Sequence, residues 1–435
     1  MRPGGPAARV RVRELGPAFD LIAAFDPADG FFMERNGSGV ATAGPGIRVS
    51  VAPGERQVAR GVDALAAAFT GVPADDGVAP VAVGAFPFDA TSEATIVIPS
   101  RSVVRLVDGT TREVSLAGST GSRESGASRG LGADPADRGV VADRRFGRAA
   151  PFAPFESIRV RYDPPPDDYA ERVRSAVAKI RRGELRKVVL ARTAEVEAGR
   201  RIDARSLLHR LRSVDPSAYT FAVPAGDASD PILFVGASPE LLVSRRGREV
   251  RANPLAGSAP RAGDPDVDRA NADRLASDEK NLEEHAIVVE AVAALLGPVC
   301  DELTWDREPV LLETANVWHL STRFRGVLGD PPPSALELVA ALHPTPAVCG
   351  DPIRAARAAI RELEPFERGC YAGPVGWVDA GGDGEWAIAL RCAALHGERA
   401  ILYAGAGIVA GSRPDDEVDE TDRKFRAFLD ALRWG

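Results

Sequence analysis

A chain of 435 residues in which 45% of side chains are hydrophobic and 27% charged can bury a large core, which excludes global disorder and collagen-like repetition. Its 54 basic and 62 acidic residues leave a formal charge of -8, so it lacks the positive field that a nucleic-acid partner requires. Cys300, Cys349, Cys370 and Cys392 form no CxxC pair and no close grouping with histidine; neither a zinc motif nor a disulfide framework is indicated, and a reducing cytoplasm fits best.

The opening MRPGGPAARVRVRELG carries charge without the apolar run of a signal peptide, and no stretch of about 18 apolar residues follows, so neither secretion nor a membrane span is expected. From Arg2 to about Pro99 the chain reads as short β-type runs broken by Gly and Pro (GIRVSVAPG, PVAVGAFPFD, ATIVIPS), and RSVVRLVDG continues the pattern. Between Gly118 and Gly147 the composition turns to Gly, Ser, Arg and Asp, with too little apolar surface to offset ordering. A mobile surface excursion over 118–147 is expected there; a hinge between two domains is the alternative.

DPPPDDYAERVRSAVAKIRRGEL predicts an amphipathic helix capped by Asp167 or Asp168, with Val173, Val177 and Ile180 on one stripe and Gly183 at its end. KVVLARTAEVEA, ILFVGAS, ELLVSRRG and REVRANPL read as strands separated by short turns, which implies antiparallel pairing. SDEKNLEEHAIVVEAVAALLG predicts a helix starting near Asp278, with Ile287, Val288, Ala291 and Leu295 on its buried stripe. YAGPVGWVDA, EWAIALRCAAL and AILYAGAGIVA predict a three-stranded meander, and DDEVDETDRKFRAFLDALRW a terminal helix. Strands and helices without a repeating βα unit point to an α+β fold.

Of the basic residues only Lys179, Lys187, Lys280 and Lys424 are lysines. The bland cause is a coding bias toward arginine; the consequence is that each lysine marks a position where arginine does not serve. Lys187 heads the apolar strand KVVLAR. It can act as a base if desolvation lowers its pKa from about 10.4 to about 7 or 8, which arginine cannot achieve; otherwise it snorkels to solvent. Glu240, in GASPELLVS, stands at a Pro-bounded strand start, where apolar neighbours can keep it protonated as a general acid; the alternative is a surface glutamate on an edge strand.

Glu284 borders the buried stripe of its helix, and Glu417, Glu420 and Lys424 fall at i, i+3 and i+7 on one helical face. Separated carboxylates without His or Cys suit magnesium; the alternative is an ordinary Glu420–Lys424 helix pair and a solvated Glu284. The glycines of GAGIV, Gly405 to Val409, would let backbone amides approach an anion, though the dinucleotide fingerprint is absent. Arg391, in ALRCA, is a candidate for bidentate carboxylate binding. His319 in NVWHLST and His343 in HPTPAVCG lie in apolar or Pro-rich surroundings where a satisfied structural histidine is the commoner outcome.

Taken in order, KVVLAR, GASPELLVS, NPLAGSAPR, EKNLEEH, NVWHLST, HPTPAVCG, YAGPVGW, EWAIALRCA and AGAGIVAGSRPDDEVDET resemble the chorismate-utilising enzymes, most closely the isochorismate synthases of siderophore and menaquinone pathways. The resemblance spans about 165–432 and is loose over 1–150. It implies a single chorismate-binding domain over 1–435, with two large antiparallel β-sheets and surrounding helices as in anthranilate and aminodeoxychorismate synthases. It also implies a magnesium cofactor. By that resemblance Lys187 activates water and Glu240 assists departure of the C4 hydroxyl of chorismate. Glu284 and Glu420 hold magnesium, with Glu417 acting at one remove. Ala256, Gly257, Ser258, His319, Arg391, Gly405, Ala406, Gly407 and Lys424 fall in the substrate-binding set.

Aminodeoxychorismate synthases carry a lysine nucleophile where this chain has Ala256, and no glutaminase-like segment is present, so water is the expected nucleophile. The resemblance therefore implies an isochorismate synthase acting as a monomer without a glutaminase subunit. A salicylate synthase, which goes on to release pyruvate, is the alternative.

Overall fold

The computed structural model describes residues 9–16, 18–72, 79–117, 155, 158–226 and 230–433; the segment 118–147, expected to be a mobile excursion, lies outside them. Every strand pairing among the described residues is antiparallel.

Two large sheets grow from one pair of long strands, Ser38–Val51 and Ala94–Arg105. Their register shifts between Ala43 and Gly46, around Gly44-Pro45, so the two halves of the pair serve different sheets. The first sheet runs through Phe32–Arg35, Tyr219–Pro224, Leu233–Ser238, Cys392–His396 and Arg399–Ile408 to Lys187–Glu197. The second runs through Val81–Ala85, Pro374–Asp379, Gly384–Ile388, Leu241–Arg246, Glu249–Asn253 and Phe324–Leu328 to Cys300–Trp305. A small third sheet pairs Leu255–Pro260, Val317–Ser321 and Val310–Glu313.

The chain crosses between the large sheets twice, side by side. Leu233–Ser238 belongs to the first sheet and Leu241–Arg246 to the second, so Pro239 and Glu240 form one crossing. EWAIALRCAAL, expected as one strand of a meander, is instead two strands in different sheets, and Arg391 sits in the break with a positive φ of 49°. The Ala237 N–H donates to the Arg391 carbonyl (3.1 Å) and the Ile388 N–H to the Glu240 carbonyl (3.2 Å), which ties the crossings together. A carboxyl and a guanidinium are thereby delivered to the same gap.

Helices cover these sheets. Pro166–Arg181 forms as its periodicity predicts, but its N-cap is Pro165; Asp167 and Asp168 lie inside the first turn, where their charge favours the helix dipole without capping. Glu279–Leu296 is capped by Asp278, whose carboxylate accepts from the Asn281 N–H at 3.0 Å. Its buried residues are Glu284, His285, Ile287, Val288, Val292 and Leu296, a stripe turned by about one residue from the expected one, so Leu295 is exposed. The terminal helix spans Pro414–Arg433. Five further helices of eight or more residues, Gln57–Phe69, Ala204–Val214, Pro265–Ser277, Ala335–Leu342 and Ile353–Leu363, fall among the described residues where none was placed from the sequence. The buried face of the first is Gln57, Gly61 and Leu65, a stripe too weakly apolar to stand out before its packing is known. No helix among the described residues is long and apolar enough to cross a membrane.

Candidate active site

The strand Lys187–Glu197 lies beside Arg399–Ile408, with Val189 opposite Gly407 and Ala191 opposite Gly405. Residues facing each other across an antiparallel pair share a side of the sheet, and successive residues alternate. Lys187, Val189, Gly405 and Gly407 therefore face one way and Ala406 the other, where its methyl packs into the core.

The faced side is a pocket walled by Glu240, Ala256, Gly257, Ser258, Glu284, His319, Arg391, Gly405, Gly407, Glu420 and Lys424, together with Val189, Ala347, Val348 and Tyr371. Its open space is about 60 Å³, room for a few waters, because paired side chains fill its floor. A larger cavity of about 540 Å³ opens beyond Tyr403, whose ring stacks on Tyr371 with centroids 5.2 Å apart. That cavity gathers none of the carboxylates or lysines of the smaller pocket.

Lys187 is fully buried and is not part of the wall. Its Nζ lies 3.0 Å from Glu284 Oε1, yet out of alignment, so the ammonium has a charge partner and no hydrogen bond. Glu284 is 7% exposed and stands between Lys187 and the pocket. Gly405 and Gly407 also make room for the side chains of other elements. A Cβ on Gly407 would fall 1.9 Å from Glu284 Oε1, and one on Gly405 would fall 2.8 Å from the Tyr371 hydroxyl. Both positions are vacant of side chain so that a carboxylate and a phenol can lie against the strand, and the Gly405 carbonyl accepts from Lys424 Nζ.

Glu240 is 2% exposed, which rules out a surface role. Burial pushes its carboxyl up to about 8, against the pull of the Lys187 and Arg391 charges; near neutral pH it holds its proton.

Arg391 Nη2 donates to His319 Nε2 at 2.7 Å. Because a guanidinium only donates, that nitrogen is the acceptor, and Nδ1 carries the proton toward the Gly257 carbonyl at 3.3 Å. Burial, with the charges of Arg391 and Lys424, holds His319 well below the ordinary histidine range, so it is neutral. His343, by contrast, lies outside the pocket wall: it is half-buried, edge-on against Phe88, with its ring centroid 6.1 Å away.

On the terminal helix, Lys424 Nζ donates to Glu420 Oε1 (2.5 Å) and to the Gly405 carbonyl (2.8 Å). Burial raises the Glu420 carboxyl, but Lys424, Lys280 and a Ser258 hydrogen bond outweigh it and hold it ionised. Glu417 is 1% exposed and lies behind the pocket wall, where it accepts from Lys280 Nζ at 2.6 Å. Burial and the Glu420 charge raise its carboxyl. Arg192, fully buried, pins this helix: Nε donates to Thr421 Oγ1 (2.8 Å), Nη2 to the Val418 carbonyl (3.2 Å), and the guanidinium pairs with Asp422.

Among the described residues no group of three or more His, Cys, Asp and Glu side chains is close enough to ligate a metal together. Two hard carboxylates, Glu284 and Glu420, do face the same pocket. That donor set fits a magnesium-like cation, which keeps waters and takes substrate oxygens beside one or two carboxylates.

The motifs pointed to most of this wall. They did not single out Tyr371, although it opens YAGPVGW, nor the pairing of Lys187 with Glu284 and of Lys280 with Glu417; the Glu420–Lys424 pair follows from its spacing.

A fold of two antiparallel sheets that cross at Glu240 and Arg391, beside buried lysines and carboxylates, defines a class, and residues 17–433 match the family model of the chorismate binding enzymes. The chain belongs to that family. It is 48% identical over 272 residues to isochorismate synthase DhbC of Bacillus subtilis, covering 62% of this chain and 68% of that one. To isochorismate synthase EntC of Escherichia coli it is 38% identical over 289 residues, 66% of this chain and 72% of that one. The solved structure of MenF, the menaquinone-specific isochorismate synthase from Escherichia coli, superposes with a TM-score of 0.80 at 25% identity, over 99% of this chain and 96% of that one.

Proposed function

We propose that this protein is an isochorismate synthase, converting chorismate to isochorismate by adding water at C2 and releasing the C4 hydroxyl as water. The observation that carries the chemistry is a buried, protonated Glu240 in the wall of a pocket that also holds Arg391 and Lys424, with the buried Lys187 set behind Glu284 at its edge.

Lys187 is the base: having given up its own proton, its Nζ takes one from water as the oxygen bonds to C2. The two ring double bonds each shift by one position, the C4–O bond breaks, and Glu240 gives its proton to the departing oxygen. One water enters and one leaves, so substrate and product are isomers and the reaction runs both ways. General acid and base groups of this kind each contribute about 100- to 10,000-fold.

Arg391 presents its guanidinium fork to a substrate carboxylate, and neutral His319 keeps that fork oriented by accepting from Nη2. The ammonium of Lys424 is the second anion partner, held in place by Gly405 and Glu420. Ser258 and Gly257 shape the wall between them. Glu284 and Glu420 are the residues that would hold magnesium, which when bound supplies positive charge to neutralise and orient the ring carboxylate.

We read residues 1–435 as one chorismate-binding unit working as a monomer in the cytoplasm with water as nucleophile, without a glutaminase subunit. The four cysteines are free, which accords with a reducing compartment. Incubation with chorismate and magnesium, followed by proton NMR, tests the assignment. An equilibrium mixture of chorismate and isochorismate is expected; stoichiometric salicylate and pyruvate would assign the protein as a salicylate synthase instead.

A further inference from the structure

Three carboxylates meet three ammonium groups around the pocket: Glu284 with Lys187, Glu420 with Lys424, and Glu417 with Lys280. Two of these lysines face the reaction, Lys187 as the base and Lys424 as a pocket wall. Lys280 does neither. It stands in the first turn of Glu279–Leu296, one turn before Glu284, and reaches across to the terminal helix, where Glu417 precedes Glu420 by three residues. Its Nζ lies 2.6 Å from Glu417 Oε1, and neither of the two side chains walls the pocket.

We propose that Lys280 is a resident counter-charge that cancels Glu417, so that a divalent cation meets a site of two carboxylates and not three. The electrostatics give this arrangement a purpose. A divalent cation held by Glu284 and Glu420 is neutral as a unit and can still attract a substrate that carries two carboxylates. An uncancelled third acid behind them would bind the cation more tightly, since affinity for hard cations rises with ligand charge, and would repel the dianionic substrate. Lys280 therefore weakens metal binding in order to keep the site receptive to substrate. Arginine would deliver the same charge through a wider planar group, whereas the compact ammonium fits the single oxygen it contacts.

The proposal rests on Glu284 and Glu420 being the metal carboxylates, and the experiment separates the two claims. Magnesium binding to the substrate-free protein is measured by titration calorimetry for the wild type, Glu284→Gln, Lys280→Met, Glu417→Gln and the Lys280→Met/Glu417→Gln double variant, with circular dichroism as the check on folding. Glu284→Gln should lose binding. Lys280→Met should bind magnesium about tenfold more tightly or better, as a unit charge removed beside a divalent ion in a partly buried site would dictate, and should raise the KM for chorismate. Glu417→Gln, which leaves the ammonium unbalanced, should bind more weakly, and the double variant should return to the wild-type affinity. Should Lys280→Met fail to fold, the return from Glu417→Gln to the double variant decides.

Unchanged or weaker binding in a folded Lys280→Met protein, or a double variant as weak as Glu417→Gln, overturns the proposal. The second outcome would make Glu417 a ligand itself. Absence of binding by the wild type, or normal binding by Glu284→Gln, overturns the metal-site reading and the proposal with it.

Discussion

The carboxylate of Glu284 lies against the backbone of Gly407, in the space a side chain would take: a Cβ at that position would be 1.9 Å from Oε1. Helix Glu279–Leu296 and strand Arg399–Ile408 can approach this closely because the strand is bare there. Gly407→Ala should therefore displace Glu284 without disturbing the sheet, since alanine is accommodated opposite Val189. A shift of about 1 Å in a catalytic group costs on the order of a hundredfold, and turnover should fall by about that factor while the melting temperature stays near that of the wild type. Wild-type turnover at low magnesium would show that the Glu284 position is unimportant.

The acid and base are separable by substitution. Lys187→Gln and Glu240→Gln should each lower kcat by about 100- to 10,000-fold, with near-UV circular dichroism unchanged. Steady-state assays that returned near-normal turnover for either variant would remove that residue from the mechanism.

The pH dependence has a defined sign. Glu240 is useful while protonated, and burial holds its carboxyl at about 8, so kcat/KM should decline as pH rises through about 8. Stability follows the same group. Its folded-state pKa is above the ordinary carboxyl value of about 4.3, so between those limits the native state binds more protons than the unfolded one and loses stability as pH rises. Glu240→Gln removes that loss. Thermal melts from pH 5 to 9 should show the variant gaining on the wild type with increasing pH, whereas a constant difference would mean that Glu240 is ionised throughout.

Much of the site was legible because helical spacing is a local property. Glu417, Glu420 and Lys424 could be placed on one face from their intervals alone, and the scarcity of lysine drew attention to Lys187, Lys280 and Lys424, all of which reach the acids. Lys179, the fourth, is a surface partner of Glu362 and Glu184, so scarcity alone does not mark a site. What local pattern could not show was the change of sheet at Glu240 and at Arg391. EWAIALRCAAL is apolar throughout and reads as one strand; only pairing with Leu241–Arg246 on one side and Arg399–Ile408 on the other divides it. The same limit hid the function of Gly405 and Gly407, whose neighbours arrive from distant helices and loops. The helix Ala204–Val214 was also overlooked, although Asp203 caps it with a 2.7 Å hydrogen bond from the Ser206 N–H.

Arg192 offers a test of how the terminal helix is held. Its guanidinium is fully buried and bonds Thr421, Val418 and Asp422, on the helix that carries Glu420 and Lys424. Breaking a buried ion pair costs about 3 to 5 kcal/mol, and Arg192→Met should fall at or below the lower end because Asp422 still reaches water. Denaturant titration should register that loss together with weaker chorismate binding. A fully stable variant with normal KM would place the helix under the control of its apolar face alone.

The central claim, that Lys187 directs water to C2 while Glu240 expels the C4 oxygen, is tested most directly by running the reaction in ¹⁸O-enriched water with magnesium and analysing the ring oxygens by mass spectrometry and NMR. The mechanism predicts isochorismate carrying one solvent oxygen at C2, with recovered chorismate slowly acquiring label at C4 through the reverse reaction. Isochorismate formed without label would mean that the hydroxyl migrates within the substrate, and would contradict the roles assigned to both residues.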